Sequence, residues 1–374
     1  MFGNLSLLAL QEYWWFLVSL LGALFVFMTF VQGGQSLLYK VTSGEIERDV
    51  IINSLGRKWE LTFTALVMFG GALFAAFPLL YAVSFSGAYY LWMAILFCFI
   101  IQAVSYEYRK KPDNFLGEKV YEKFLYINGT VGIFLIGVAV GSFFTGGHFI
   151  KNDMNLSHWT TPFYGLESII HPFNFALGLT LVFLSRVQAE LYFINSVADN
   201  NIISKAKREL KKDALLFVAF FLLSAAMLLF MSGVSFAGPH FFLEKFKFLH
   251  NFLANPILLV LFLVGTVLVL FAIFITLFKG SEKGIWFSGI GTVLVILSLF
   301  CLLGYNNTPI YPSLSDISSS LTIQNSSGSH YTLATMSYVS LMVPFVLGYI
   351  ILVWRAMNKE KISVKEIESD SHAY

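Results

Sequence analysis

The sequence predicts an all-α polytopic membrane protein with about nine transmembrane helices. Of its 374 residues, 57% are hydrophobic and only 12% charged, about half the charge fraction of a soluble domain, and mean hydropathy is +0.73. The apolar residues fall in runs of roughly 20, long enough to cross a bilayer as helices and separated by short polar stretches. These runs lack the polarity alternation over about ten residues that marks outer-membrane strands, which excludes a β-barrel. A net charge of +2, with basic residues scattered over many loops, excludes a nucleic-acid-binding domain.

Apolar windows of about 19 residues place the helices near 14–38, 61–83, 88–105, 125–146, 169–185, 214–233, 256–278, 285–304 and 335–354. Residues 1–358 then form one transmembrane domain and 359–374 a short tail. No Lys or Arg precedes the first helix, so it lacks the basic flank of a signal peptide and is expected to stay as a span. With this placement 21 of the 24 Lys and Arg residues lie in loops on one face. Omitting any helix inverts every later loop, so the asymmetry also checks the helix number. The positive-inside rule puts the N-terminus outside and the C-terminus in the cytoplasm. Eight helices could pair as two four-helix bundles with a ninth, peripheral helix alongside.

The outside loops 147–168, 234–255 and the Ser-rich 305–334 are the longest on their face. The largest cytoplasmic connection, 186–213, reads as a helical extension ending in KAKRELKKD, a run suited to anchoring in lipid headgroups. Pro78 interrupts the second helix and frees a carbonyl one turn earlier, which predicts a kink or a polar contact. Gly70 and Gly71, and Gly137 and Gly141 in GVAVG, predict close helix contacts. Cys98 and Cys301 fall inside apolar runs as small packing residues, with no disulfide framework or thiolate metal site.

Within the nine windows there is no Asp, Glu, Lys or Arg, which argues against a transporter with a charged midplane site. The seven histidines, 148, 158, 171, 240, 250, 330 and 372, supply no mid-membrane pair, so this chain is expected to hold no haem and no metal itself. His171 at the start of the fifth helix is the best single candidate ligand, against a reading as a headgroup-level polar residue. Polar side chains instead gather toward the cytoplasmic ends of the first three helices: Gln32 and Gln35 in VQGGQ, Trp59 and Glu60 in KWE, and Glu107 in SYEYRKK. A carboxyl at the edge of a low-dielectric region can take up and release protons. The alternative is structural: Glu60 in the first turn of its helix, favoured there by the helix dipole, and Glu107 paired with Arg109 or Lys110.

The stretch WELTFTALVMFGGALFAAFPLLYAVSFSG, from Trp59 to Gly87, resembles the second and third helices of subunit II of cytochrome bd, a bacterial quinol oxidase. INSLGRKW before it and YEYRKK after it continue the likeness. Near the C-terminus SLTI, SSGS, TL, Met336 and VPFVLGYIILVWRAM fit the same family. The resemblance covers most of the chain and is weakest over 186–255. It implies a complex in the bacterial cytoplasmic membrane that oxidises quinol and reduces dioxygen to water with protons from the cytoplasm. Two b-type haems and one haem d are implied to reside in the partner, subunit I. The chain alone is then not catalytic. The same resemblance implies a proton path through this subunit at Glu60 and Glu107, beside Trp59, where better-known members have Asp. Those members carry two acids in a DGFD-like pattern where this chain has QGGQ; the amides of Gln32 and Gln35 can hydrogen-bond but cannot carry a proton at neutral pH, suggesting a branch with a rearranged path. Expected contacts also include quinone or quinol, membrane lipids and a small accessory transmembrane subunit. Two other readings stand beside this one: a polytopic secondary transporter, and a purely structural subunit without a proton role.

Overall fold

The computed structural model describes residues 2–364; His372 and the end of the 359–374 tail lie outside them. Among the described residues nine helical spans are long and apolar enough to cross a membrane. The first is α1 (Leu7–Met28) continued by α2 (Phe30–Val41). The helix breaks at Thr29, whose hydroxyl donates to Val26 O (2.7 Å), while the Met28 carbonyl accepts from Thr62 Oγ1 (3.1 Å). That side-chain bond fills an acceptor that lipid could not.

The second span, α3 (Glu45–Ala76), begins well before the apolar window and ends at Phe77. Pro78 opens the short α4 (Pro78–Tyr81), followed by a π-helical turn over Ala82–Ser86. The expected break is present at Phe77 (φ −130°, ψ 65°), and Ala76 O, two residues before the proline, accepts from Gly328 N at 2.9 Å. The third span is α5 (Tyr89–Tyr108); the fourth joins α6 (Glu118–Ile127) to α7 (Ile133–Thr145) through a π-helical segment, Asn128–Gly132.

The fifth and sixth spans, α8 (Pro172–Ser196) and α9 (Asn200–Phe230), form a helical hairpin whose turn is only 197–199. The 186–213 connection is therefore helical almost throughout, as expected. Its charges are not all lipid-facing: Glu209 and Asp213 are buried, and Lys205 pairs with Glu47 at 3.3 Å. The start of the tail docks beside this turn, with Ile362 exchanging backbone hydrogen bonds with Ser196 and Ala198.

After the short amphipathic α10 (Lys247–Ala254) come α11 (Pro256–Lys279), α12 (Gly284–Cys301), a four-residue α13 (Ile323–Ser326), and the last span, α14 (His330–Ser340) with α15 (Val343–Met357). Two hairpins lie at the end of the molecule away from the basic loops: β1 (Phe149–Lys151) with β2 (Ser157–Trp159), and β3 (Gly233–Ala237) with β4 (His240–Glu244).

In a bilayer, helices associate through close packing and interhelical hydrogen bonds. Both devices occur here. A Cβ on Gly137 of α7 would meet the Gly178 backbone of α8 at 2.6 Å, and one on Gly141 would meet Asn174 at 2.5 Å, as the GVAVG spacing predicts. Gly70 and Gly71 depart from expectation: Gly71 has nothing within 4 Å, and Gly70 meets only Phe85 at 3.9 Å, because that stretch of α3 is largely turned outward. Trp14 Nε1 donates to Ser337 Oγ (2.9 Å) and Trp15 Nε1 to Leu303 O (2.7 Å), tying α1 to α14 and to the end of α12.

Candidate functional site

Near the basic end, α2, α5 and the π-helical segment within the fourth span enclose a cluster of amides. Gln32, Gln35, Gln102 and Asn128 are all buried, at 1% exposure or less. The Gln102 Oε1 accepts from Asn128 Nδ2 (2.6 Å), Gln35 Nε2 (2.7 Å) and Gln32 Nε2 (2.9 Å). Gln35 Nε2 also donates to Tyr106 Oη at 3.1 Å, and its Oε1 accepts from Asn128 Nδ2 at 3.0 Å. The π-helical turn aims Asn128 inward, and Gly129 permits the approach: a Cβ there would lie 2.3 Å from Gln32 O. Gln32 Oε1, Gln102 Nε2 and Asn128 Oδ1 have no protein partner.

Trp59 is buried and stacks on Tyr106, with centroids 5.5 Å apart and planes 10° from parallel. The stack connects α3 to α5 beside Gln35. Glu60 and Glu107, next in sequence to these rings, are exposed on the surface of the chain. Glu60 is not in the first turn of its helix, since α3 starts at Glu45. Arg109 and Lys110 do not pair with Glu107 either. Arg109 instead joins Asp49 (2.6 Å), Glu122 (2.9 Å) and Glu118 (3.1 Å), and Lys110 joins Asp49 (3.0 Å) and Glu118 (3.2 Å). Burial works against the Arg109 charge, but the Asp49 and Glu122 carboxylates outweigh it and raise the guanidinium above its usual range. Tyr39 Oη and Arg48 Nε complete the shell around Glu122, at 2.8 Å and 3.2 Å.

Of the five residues singled out in the sequence, the structure brings three together: Gln32 and Gln35 in the amide cluster and Trp59 against Tyr106, while Glu107 follows Tyr106 in the chain and is exposed. Glu60 likewise follows Trp59 and is exposed. Gln102, Asn128 and Tyr106 were missed. Gln102 is the single amide of an otherwise apolar run, LFCFIIQAVSY, and that isolation was the available signal. Asp49 lies 60 residues from Arg109 in the sequence, and nothing local joins it to Glu118 and Glu122 of α6.

The family described as cytochrome bd terminal oxidase subunit II matches residues 10–357. The chain belongs to that family. Among relatives, it is 26% identical over 385 residues to cytochrome bd-I ubiquinol oxidase subunit 2 of Escherichia coli (strain K12), covering 97% of this chain and 98% of that one. It is 26% identical to cytochrome bd ubiquinol oxidase subunit 2 of Bacillus subtilis (strain 168), covering 96% and 98%. The fold is similar to a chain of the bd oxidase from Geobacillus thermodenitrificans, with TM-score 0.60, 11% identity and coverage of 94% and 98%. The described histidines of this subunit II do not fit a haem site in the chain. His171 is exposed at the cap of α8, His250 is exposed on the short α10, and the other described histidines are exposed or half-buried in a loop, in strands or at a helix start.

Proposed function

We propose that this chain serves as subunit II of a quinol:oxygen oxidoreductase in the bacterial inner membrane. It supports a haem-bearing subunit I and supplies a proton path from the cytoplasmic face, with the N-terminus outside and the C-terminus in the cytoplasm. Haems b and d reside in the partner, which oxidises quinol and reduces dioxygen to water. Family membership over residues 10–357 supports the subunit assignment. A single observation carries the proton path: buried hydrogen-bonding side chains reach from the Trp59–Tyr106 stack through Gln35 to Gln102, Asn128 and Gln32.

The chemistry divides between two residue types. Carboxyls can gain and lose a proton, so Glu60 and Glu107 are the groups that collect it. Amides cannot, so Gln32, Gln35, Gln102 and Asn128 act by orienting water, which buried polar atoms without a protein partner bind. A carboxylate on the surface of a membrane helix needs water, headgroups or a polar partner. Exposure of Glu60 and Glu107 on this chain suits a site completed at the edge of subunit I.

The test is Glu107→Gln and Glu60→Gln in the assembled complex, reading oxygen consumption against haem content. Lower turnover with normal haem supports the path. Unchanged turnover in both variants leaves a purely structural subunit.

A further inference from the structure

Deep in the α8–α9 hairpin two carboxyl groups meet with one cation between them. Glu190 is 0% exposed, Asp213 3% and Arg186 6%. Arg186 and Glu190 are four residues apart on α8 and so share one face of the helix. Arg186 Nε donates to Asp213 Oδ2 at 2.7 Å, which matches one positive charge to one negative. The Glu190 carboxyl lies within hydrogen-bonding reach of Asp213, yet neither of its oxygens has a donor.

Other charged groups around the site do not supply one. Glu209, one turn before Asp213 on α9, is held by Lys212 (2.8 Å) and Arg208 (3.5 Å). Lys40 of α2 acts on Glu209. Among the described residues the cation acting on Glu190 is Arg186, whose Nε is held by Asp213 and whose Nη2 makes no hydrogen bond to Glu190. Ionised carboxylates only accept hydrogen bonds, and two of them side by side repel. A single proton resolves the conflict: protonated Glu190 donates its O–H to Asp213, Asp213 stays ionised against Arg186, and the buried set is neutral.

We propose that Glu190 and Asp213 form a buried proton-binding site, holding one proton between them and exchanging it with the basic end of the molecule through Glu209. Glu209 is 5% exposed and contacts Lys212, whose side chain is 62% exposed, so the series Glu190, Asp213, Glu209 ends at solvent. The proton is taken from water and returned to it; no electron moves and no other bond changes. None of these residues belongs to the amide cluster, although α2 packs against both regions, with Gly33 set against the Ser185–Arg186 backbone.

The experiment is infrared spectroscopy of the intact purified complex in H2O and in D2O, for the wild type, Glu190→Gln and Asp213→Asn. The wild type is expected to show a carboxylic-acid carbonyl band that moves to lower frequency in D2O. Glu190→Gln removes the band and keeps full assembly, because glutamine has the shape of a neutral Glu and can donate to Asp213. Asp213→Asn also removes it, since Glu190 then ionises against Arg186. A band unchanged in both variants overturns the proposal, as does failure of Glu190→Gln to assemble. A band that Glu190→Gln removes but D2O leaves in place overturns the exchange with the basic end.

Discussion

Trp59 lies flat on Tyr106, 5.5 Å between centroids, and Tyr106 Oη accepts from Gln35 Nε2 at 3.1 Å. The stack therefore fixes the register of α3 on α5 and presents a hydroxyl to the amide cluster at once. Tyr106→Phe separates the two effects. It keeps the stacked ring and removes one acceptor, so stability of the complex is expected to fall by only about 1 kcal/mol. Turnover is expected to fall if the hydroxyl belongs to the proton path. Thermal unfolding and oxygen consumption of the same preparation read the two quantities.

Arg109 holds together three carboxylates drawn from α3 and α6. Glu122, at 1% exposure, keeps only Arg48 and the Tyr39 hydroxyl if the guanidinium is lost. Removing one partner of a buried ion pair costs about 3–5 kcal/mol. Arg109→Leu is therefore expected to abolish recovery of the assembled complex. Arg109→Lys keeps the charge but loses the planar fork, and its expression level and unfolding temperature are expected to fall between wild type and Arg109→Leu.

Glu244 stands at the other end of the molecule, where Lys247, 2% exposed, reaches it at 3.0 Å and His250 at 2.7 Å. Burial alone raises this carboxyl, but hydrogen bonds from His250 and Lys247 and the Lys247 charge outweigh it and hold the group below the usual carboxylate range. A depressed carboxylate stabilises the fold above its unfolded-state pKa, and the benefit is lost as pH falls through the lower folded value. Glu244→Gln is thus expected to lower the unfolding temperature at neutral pH. The gap from wild type closes on acidification below the carboxylate range, and a gap independent of pH contradicts this account.

The Gly137 contact admits a sharper comparison. A side chain there meets the Gly178 backbone, which cannot rotate away, so Gly137→Val must part α7 from α8. Overpacking of this kind costs about 1–3 kcal/mol. Gly71→Ala meets nothing within 4 Å and is expected to leave the stability of this chain unchanged. Parallel thermal melts of the two variants check the difference.

Hydropathy made the nine spans legible because each carries a long apolar run, and the lysines fixed their number. It misjudged the ends of α3, α8 and α9, since averaging stops a window where charge begins. Arg186, Glu190 and Asp213 therefore read as part of a cytoplasmic helical extension, although they lie buried between two helices. Their partnership spans 27 residues for Arg186 and Asp213, and no local pattern encodes it. Gln32, Gln35 and Trp59 were legible as polar residues in apolar company. The convergence of the two glutamines on Gln102 was not, because it depends on a π-helical turn at Asn128 and on the close approach at Gly129.

Gln102 provides the most demanding test of the amide cluster. Three side-chain donors, from Gln32, Gln35 and Asn128, end on its single Oε1, so Gln102→Leu strands Gln32 Nε2 in a buried site and leaves Gln35 only Tyr106 and Asn128 only Gln35. A stranded buried amide costs about 1–3 kcal/mol, and the variant is expected to give a lower yield of assembled complex. Gln102→Glu differs in kind. A carboxylate offers two oxygens to the same three donors, and hydrogen bonds to an ionised acceptor are about twice as strong. It also puts a titratable group where this chain has only amides. Gln102→Glu is therefore expected to assemble with normal haem content and to change the pH dependence of turnover. Turnover with the wild-type pH profile in an assembled Gln102→Glu complex places the cluster outside the proton path and leaves it a packing device.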